Sequence, residues 1–208
     1  IEANKLMAAI CRKENKLAEA ANFLRILEDV MKLNHHVEIE RGLLNNTNSV
    51  SNLSIKSELP YESYLELAHW YQDIGDINTA TEILKLSPDH ALVQLNLAYI
   101  SYLSEKIKDK VKEILMRQLL YNHADMPTNF VFPFRLEEKR ILEWAVKNLD
   151  NWKLKYYLGL LYWSFGEQNH ARELFTDIGM QPDDPSFYIS KSLLFTGEKG
   201  YSPEKDLI

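Results

Sequence analysis

The chain has 208 residues, a formal net charge of −6, seven glycines and one cysteine. No glycines form G-x-G or G-x-x-x-x-G-K-[ST], which excludes the dinucleotide fingerprint and the P-loop. The single Cys11 excludes an internal disulfide and a cysteine-based zinc cluster. The acidic balance argues against nucleic acid as a partner. No apolar run reaches the ~18 residues of a transmembrane helix, so we expect no membrane insertion.

The apolar residues follow a helical period almost throughout, and no alternating strand is found. This pattern predicts about eleven or twelve helices and an all-α fold. In chain order they cover residues 3–13, 16–33, 35–44, 48–58, 61–74, 76–86, 89–104, 107–121, 136–149, 152–165, 167–178 and 185–196. Because the first predicted helix begins at residue 3, close behind Ile1, we expect the chain to be a fragment of a longer protein.

Prolines and glycines lie between the predicted helices rather than inside them. Ser87-Pro88 and Asp184-Pro185 have the pattern of an N-cap followed by proline at the first helical position, and Pro60 opens a helix in the same way. Gly75 and Gly166 lie where one helix stops and the next begins, as a left-handed residue after a helix should. Asn15 fits the same role in the first helix pair.

Two segments share a spacing of small, large and turn residues, which indicates an internal repeat. Six offsets are shared: residues 61–87 place Leu67, Ala68, Tyr71, Gly75, Ala80 and Leu84 where residues 152–182 place Leu158, Gly159, Tyr162, Gly166, Ala171 and Phe175. Tyr64 precedes the first set, and Pro182 follows the second. The start of the chain and residues 91–121 match more weakly. The small residues let two helices cross closely, and the large ones fill the space towards the next pair.

This spacing resembles the tetratricopeptide repeat (TPR). The resemblance implies a right-handed α-solenoid of antiparallel helix pairs, in which stacked repeats share one continuous core. The alternative is a generic helical bundle with small residues placed by chance.

Two segments interrupt the repeat. Residues 45–57 are polar and predict either a loop or a short, poor helix. Residues 122–134 contain two prolines and the apolar run Phe130-Val131-Phe132-Pro133-Phe134, which we expect to pack over a helix end or between repeats. The helix at 136–149 has no obvious partner. We therefore divide the chain into a TPR-like subarray at 1–121, an irregular segment at 122–134, a second subarray at 135–196 and a tail at 197–208.

Several stretches resemble large bacterial proteins in which TPRs follow an N-terminal β-rich domain of unknown function, similar to mutarotase-like sandwiches. They are Asn34 to Arg41 (NHHVEIER), Glu58 to Tyr71 (ELPYESYLELAHWY), Val131 to Arg135 (VFPFR) and Trp152 to Leu160 (WKLKYYLGL). The resemblance implies a fold and a domain context, with the β-rich domain upstream of Ile1. It implies no activity.

Pairs of His and acidic residues at helical spacing are the candidates for catalysis or metal binding. His36 with Glu40, His69 with Asp73, and His170 with Glu173 each share a helix face. A zinc site needs further ligands, and surface hydrogen bonds explain each pair more simply. Cys11 falls at a core position of the repeat, so a buried thiol is expected. We predict no catalytic residue, no metal and no cofactor.

The basic stretch from Lys106 to Arg117 is the best case for binding an anion. Its lysines recur every two residues and so spread around a helix, and acidic residues are interleaved with them. A solvated face with salt bridges is the simpler interpretation.

By the TPR resemblance, certain positions of the first helix of each repeat line the concave groove. Here these candidate binding residues are Lys5, Arg12, Lys13, His69, Gln72, Asp73, Tyr99, Tyr102, Lys153, Tyr156 and Trp163. Tyrosine and tryptophan beside charges are typical of binding surfaces. Packing of Tyr99, Tyr102 and Trp163 against neighbouring helices is the alternative.

We therefore expect a non-catalytic scaffold that binds a protein, a peptide or its own upstream domain through its concave face. Two other hypotheses remain open. The segment could be a structural spacer or dimerisation arm for an upstream carbohydrate-related β domain, or a helical enzyme that uses His or Glu pairs in a deep pocket.

Overall fold

The computed structural model describes residues 1–31, 34–45, 50, 53–104, 109–180 and 182–196. Within these residues the chain forms eleven α-helices and no strand, which confirms the all-α class. The helices are α1 (Glu2–Lys13), α2 (Leu17–Val30), α3 (His35–Leu44), α4 (Pro60–Asp73), α5 (Ile77–Leu86), α6 (Ala91–Leu103), α7 (Asp109–Asp125), α8 (Leu136–Asn148), α9 (Trp152–Ser164), α10 (Gln168–Ile178) and α11 (Pro185–Phe195). None of the described helices is both long and apolar enough to cross a lipid bilayer.

The chain divides into two compact units, residues 1–89 and 90–208. In the first unit, α3 packs against both α1 and α2, which also pack against each other, and α5 packs against α4. In the second unit, α6 pairs with α7 and α9 with α10, while α11 contacts α9 and α10. The division into subarrays at 1–121 and 135–196 stays a prediction. The tail at 197–208 lies outside the described residues.

Three helix pairs are joined by the same turn. Each turn contains one residue whose backbone is left-handed, namely Asn15 (φ 61°), Gly75 (φ 73°) and Gly166 (φ 79°). The N–H of the following residue donates back to the carbonyl five residues earlier in each case: Lys16 to Cys11 at 2.8 Å, Asp76 to Tyr71 at 2.7 Å and Glu167 to Tyr162 at 2.8 Å. This bond satisfies a carbonyl that a helix end would otherwise leave unpaired. The predicted role of all three residues is confirmed.

The small residues of the repeat spacing are buried in these same helix pairs. Ala8, Ala20, Ala68, Ala80 and Ala171 are each 0 % exposed, and Gly159 is buried. A Cβ added at Gly159 would lie only 2.7 Å from Cε2 of Phe175, so the Phe175 ring of α10 packs directly on this glycine of α9, where a side chain would clash. Cys11 is buried as predicted.

Capping side chains explain where several helices begin. The side chains of Asn34, Asp76, Asn151 and Asp184 accept hydrogen bonds from the first turns of α3, α5, α9 and α11. Pro60 and Pro185 occupy first-turn positions, as predicted. The predicted start at Ser87-Pro88 is wrong: α6 begins at Ala91, where Nδ1 of His90 accepts the hydrogen bond of the Leu92 N–H at 3.3 Å.

The helix predicted at 48–58 is wrong over residues 53–58, which are not helical, so the loop alternative given for residues 45–57 is confirmed over 53–57. There the Tyr64 hydroxyl donates to the Leu53 carbonyl and accepts from the Ile55 N–H, both at 3.2 Å. The remainder of that prediction, apart from Val50, lies outside the described residues. The helix at 136–149, for which no partner was expected, is α8, and it packs against both α6 and α9.

The apolar run between α7 and α8 does not pack as expected. Val131 is buried, but the rings of Phe130, Phe132 and Phe134 are 70 %, 63 % and 55 % exposed. The expectation that the run covers a helix end or fills the space between repeats is therefore wrong for all three phenylalanines.

Candidate interaction surface

Arg12, a predicted groove residue, lies instead in a buried ion cluster of the first unit. Its Nε and Nη2 donate to the Glu40 carboxylate at 2.8 and 3.0 Å, and Nη2 also donates to Oδ2 of Asp76 at 2.9 Å. Glu40 is fully buried, and the Tyr71 hydroxyl donates to it at 2.9 Å. Although burial works the other way, the Arg12 hydrogen bond holds the pKa of Asp76 below its usual value. The cluster joins α1, α3, α4 and the N-cap of α5.

The other candidates of the first unit differ in exposure. Lys13 and Asp73 are exposed, and Nζ of Lys13 lies 3.9 Å from Oδ2 of Asp76. Nζ of Lys5 pairs with Glu2 at 2.7 Å. His69 is buried and Gln72 is half-buried. The exposed members alone remain candidates for contact with a partner.

The His36 and Glu40 pair does not form a metal site. Glu40 is held by Arg12, while the His36 ring lies 4.1 Å from the Trp70 ring and 5.3 Å from the Tyr71 ring, centroid to centroid. Burial, reinforced by the charge of Lys5, lowers the pKa of His36 to about 4, so the imidazole is neutral near pH 7. Within the described residues, no group of three or more His, Cys, Asp or Glu side chains is placed to hold a metal ion.

In the second unit, two predicted groove residues hold helices together. Nζ of Lys153 donates to the carbonyls of Ala124 and Met126 at 2.8 and 2.5 Å, where α7 ends. The hydroxyl of Tyr156, a buried residue, lies 3.1 Å from Oγ of Ser190 on α11. Trp163 is half-buried near the end of α9. Lys153 and Tyr156 thus make contacts within the fold.

Tyr99 and Tyr102 lie in an aromatic cluster that includes Trp144 of α8. The two tyrosine rings stack at 6.3 Å, and the Trp144 ring lies 5.3 Å from Tyr99 and 5.2 Å from Tyr102, centroid to centroid. Tyr99 is buried, whereas Tyr102 is 44 % exposed. Packing against a neighbour, the simpler alternative, therefore holds for Tyr99 and only in part for Tyr102.

Two cations flank Trp144 along α8. Arg140, Trp144 and Lys147 recur at i, i+4 and i+7 and so share one face of the helix. The Arg140 guanidinium lies 5.9 Å from the centroid of the Tyr99 ring. Arg140 and Lys147 are exposed, and neither has an ion-pair partner among the described side chains. We call Tyr99, Tyr102, Arg140, Trp144 and Lys147 the aromatic surface.

The side of α8 next to this face is fixed to the fold by polar contacts. The Tyr162 hydroxyl donates to Oε1 of Glu143 at 3.0 Å, and Nζ of Lys139 donates to Oε1 of Glu167 at 2.5 Å. Burial and the Glu143 contact raise the pKa of Tyr162 to about 12. Arg140 and Lys147 at the two ends of the Arg140–Trp144–Lys147 face are exposed, whereas Trp144 between them is half-buried against Tyr99 and Tyr102 of α6.

Sequence reasoning missed Trp144, Arg140 and Lys147. The i, i+4, i+7 spacing of an aromatic residue between two cations was the available signal, but it does not say which helix lies beside α8.

His170 pairs with Glu167, at 3.1 Å, rather than with Glu173. In the basic stretch, Arg117 pairs with Glu113 at 3.1 Å. Residues 105–108 lie outside the described residues.

Comparison with known proteins identifies no relative that assigns a function. No protein-family model matches the chain, and no curated protein matches it significantly.

Proposed function

We propose that this chain is a non-catalytic, TPR-like α-solenoid scaffold that binds a segment of another protein through the aromatic surface. The observation that carries the proposal is the half-exposed Tyr102, which stacks on Tyr99 and contacts Trp144. Two exposed cations that have no ion-pair partner among the described side chains flank Trp144. Interface hot spots are enriched in tyrosine, tryptophan and arginine, because rigid planar side chains give large contact area at low entropic cost.

The recurring turn supports the repeat architecture in this proposal. Asn15, Gly75 and Gly166 take the same backbone conformation, and the same hydrogen bond follows each of them. Buried small residues occupy equivalent places in all three helix pairs. Repeats of this kind stack so that each buries the apolar face of the next, and their extended surfaces serve for binding.

The charge of the aromatic surface selects the chemical class of the partner segment. Arg140 and Lys147 lie on either side of Trp144, so carboxylates on the partner would meet both cations while an apolar side chain covers the rings. Complementary charge sets the register of a bound segment and speeds its association. The favoured ligand is therefore a peptide segment that combines Asp or Glu with an apolar anchor.

The exposed groove candidates of the first unit, Lys13 and Asp73, stay part of the proposal as separate contacts. The resemblance to bacterial proteins with an upstream β-rich domain also remains a proposal. If that domain is present, it is the nearest source of a partner segment, and a spacer or dimerisation role for this region is the alternative.

Selection of peptides from a random display library on the purified chain tests the proposal. We expect enrichment of sequences that pair acidic with apolar residues. Tyr102→Ala and Arg140→Glu should each weaken binding of the selected peptides about tenfold or more. Lys85→Glu, which reverses an exposed cation on α5, is the matched control and should change binding little. Failure to select any binder, or binders indifferent to both substitutions, would contradict the proposal.

A further inference from the structure

One side of α1 carries apolar side chains that stay exposed. They recur at i, i+3, i+4 and i+7, the spacing by which a helix presents an apolar face to a neighbouring element. These residues, which we call the α1 stripe, are Ala3, Leu6, Met7 and Ile10. The first is exposed, and the other three are 41 %, 39 % and 38 % exposed. Ala8, which lies away from the stripe, packs with Leu24 of α2 and Val37 of α3, so α1 meets these two helices through another side.

The corresponding residues of α9 are buried. The left-handed residues Asn15 and Gly166 align α1 with α9. At the positions of the α1 stripe, α9 has Leu154, Tyr157, Leu158 and Leu161, which are 0 %, 0 %, 4 % and 0 % exposed. The Tyr157 ring lies 5.6 Å from the His123 ring of α7, centroid to centroid, and α8 also packs on α9. Helices that precede α9 in the chain therefore cover the face that α1 leaves exposed.

α4 contacts the helix before it at the same position. Gly75 aligns α4 with α1 and places Trp70 at the position of Ile10. The Trp70 ring lies 4.1 Å from the His36 ring of α3, centroid to centroid. A residue of α3 thus covers in α4 a position that is exposed in α1.

One hydrogen bond recurs where α3 meets α4 and where α8 meets α9. Tyr71 of α4 and Tyr162 of α9 occupy the same position of their repeats. The Tyr71 hydroxyl donates to Glu40 of α3 at 2.9 Å, and the Tyr162 hydroxyl donates to Glu143 of α8 at 3.0 Å. Because donor and acceptor are of the same kind in both places, α3 and α8 cover equivalent sides of the helices that follow them.

α11 also buries a stripe against the helices that precede it. Phe187 and Leu194 lie seven residues apart and are 0 % and 3 % exposed. The same spacing separates Leu154 and Leu161 in α9. Phe187 stacks on Phe175 of α10 with the ring centroids 5.3 Å apart, and α11 contacts both α9 and α10. α4, α9 and α11 therefore each pack on a preceding helix, whereas the α1 stripe is exposed.

We propose that the α1 stripe docks an α-helix of the segment that precedes Ile1 in a longer polypeptide. In α4, α9 and α11 the covering helix comes from earlier in the same chain, which favours a preceding segment over a second protein as the occupant. The outer face of a terminal solenoid repeat is polar, whereas the α1 stripe is apolar. Residues 1–208 therefore continue a helical array, and an upstream β-rich domain, if present, lies beyond the docked helix.

The docked helix is amphipathic, with apolar residues that repeat at intervals of three and four. The α1 stripe contains no charged side chain, and Glu14, one turn beyond it, is paired with Lys16 at 2.6 Å. Burial of apolar area is therefore the driving force, and docking needs no complementary charge. The aromatic surface belongs to the second unit, so this proposal is independent of the proposed peptide binding.

Thiol labelling at position 7 tests the proposal. Met7→Cys with Cys11→Ala is placed in residues 1–208 and in a longer chain that adds the ~40 residues before Ile1, the length of one repeat. We expect labelling to slow about tenfold or more in the longer chain, because the docked helix must open first. Lys85→Cys with Cys11→Ala, at an exposed position of α5, is the matched control and should label at the same rate in both chains. Equal rates at position 7 would overturn the proposal.

Two further measurements identify the occupant. The circular dichroism of the longer chain should show added helix, and added strand would overturn the proposal. Ile10→Asp should lower the thermal midpoint of the longer chain more than that of residues 1–208, whereas Ile189→Asp, at a 61 % exposed position of α11, should lower both equally. Protection of position 7 that appears only after a separate protein is added would replace the preceding segment by a second protein. Peptide binding by residues 1–208, measured separately, reports on the proposed function alone.

Discussion

The guanidinium of Arg12 and the carboxylate of Glu40 form a two-point ion pair between α1 and α3, with Nε to Oε2 at 2.8 Å and Nη2 to Oε1 at 3.0 Å. Glu40 is 0 % exposed. A buried carboxylate that loses its cation keeps the cost of its desolvation. Replacing either partner alone would therefore destabilise the first unit.

Arg12→Met should destabilise the chain by about 3–5 kcal/mol, because it leaves Glu40 buried and uncompensated. Urea denaturation measures the loss. The additional change Glu40→Met should recover part of it, since it removes the orphaned charge. The matched control is Lys85→Met on α5, whose exposed pair with Glu82 should contribute less than about 1 kcal/mol. An Arg12→Met variant within that same range would show that the pair is not buried as described.

Stability should fall as the pH drops from about 6.5 to about 4. The pKa of His36 is lowered to about 4 by burial, and that of His123 is lowered to about 4 by the same cause. Between these values and the unfolded value of about 6.5, the unfolded chain binds protons that the folded chain excludes. Each histidine thus contributes about 3 kcal/mol that is present above pH 6.5 and lost by pH 4.

Urea denaturation at a series of pH values checks this dependence. His36→Phe should remove about half of it, because the aromatic neighbours Trp70 and Tyr71 can accept a phenyl ring. His170→Gln, a change at an exposed histidine, should leave the dependence unaltered. A stability that stays flat down to the range where carboxylates titrate would rule out the buried neutral state.

Gly159→Ala should destabilise the second unit by about 1–3 kcal/mol, as overpacking of a core does. The new Cβ would lie 2.7 Å from Cε2 of Phe175, a fully buried ring stacked on Phe187 at 5.3 Å. Combining it with Phe175→Leu should cost less than the two single changes together, because the smaller side chain relieves the clash. Denaturant unfolding of the four-member cycle measures the coupling, and strictly additive costs would disprove the contact.

Asn15→Gly should stabilise the chain by up to about 1 kcal/mol, since glycine takes the left-handed conformation without a Cβ penalty. It would make the first turn like those at Gly75 and Gly166. Asn22→Gly, within α2, is the matched control and should destabilise by a few tenths of a kcal/mol. Thermal or urea unfolding distinguishes the two, because the expected changes have opposite sign.

Local features of this fold were predictable from sequence. A left-handed turn depends on one residue, so Gly75, Gly166 and Asn15 identify three helix junctions. Most described helices begin and end within a few residues of the predicted bounds, because the residues that cap a helix lie next to its ends in the sequence, as His90 does at α6. The helix predicted to end at 121 continues to Asp125 as α7.

Contacts distant in sequence were not predictable. Arg12 meets Glu40 28 residues away and Asp76 64 residues away, and no local pattern links them. Trp144 belongs to the candidate surface only because α8 packs on α6. The exposure of Phe130, Phe132 and Phe134 was also missed, because apolar composition alone favours burial.

The ammonium of Lys153 anchors the end of α7 to α9 by hydrogen bonds. It donates from α9 to the carbonyls of Ala124 and Met126, and α8 lies between the two helices in the sequence only. A proteolytic nick or a short insertion within residues 127–129 would therefore leave the last turn of α7 anchored.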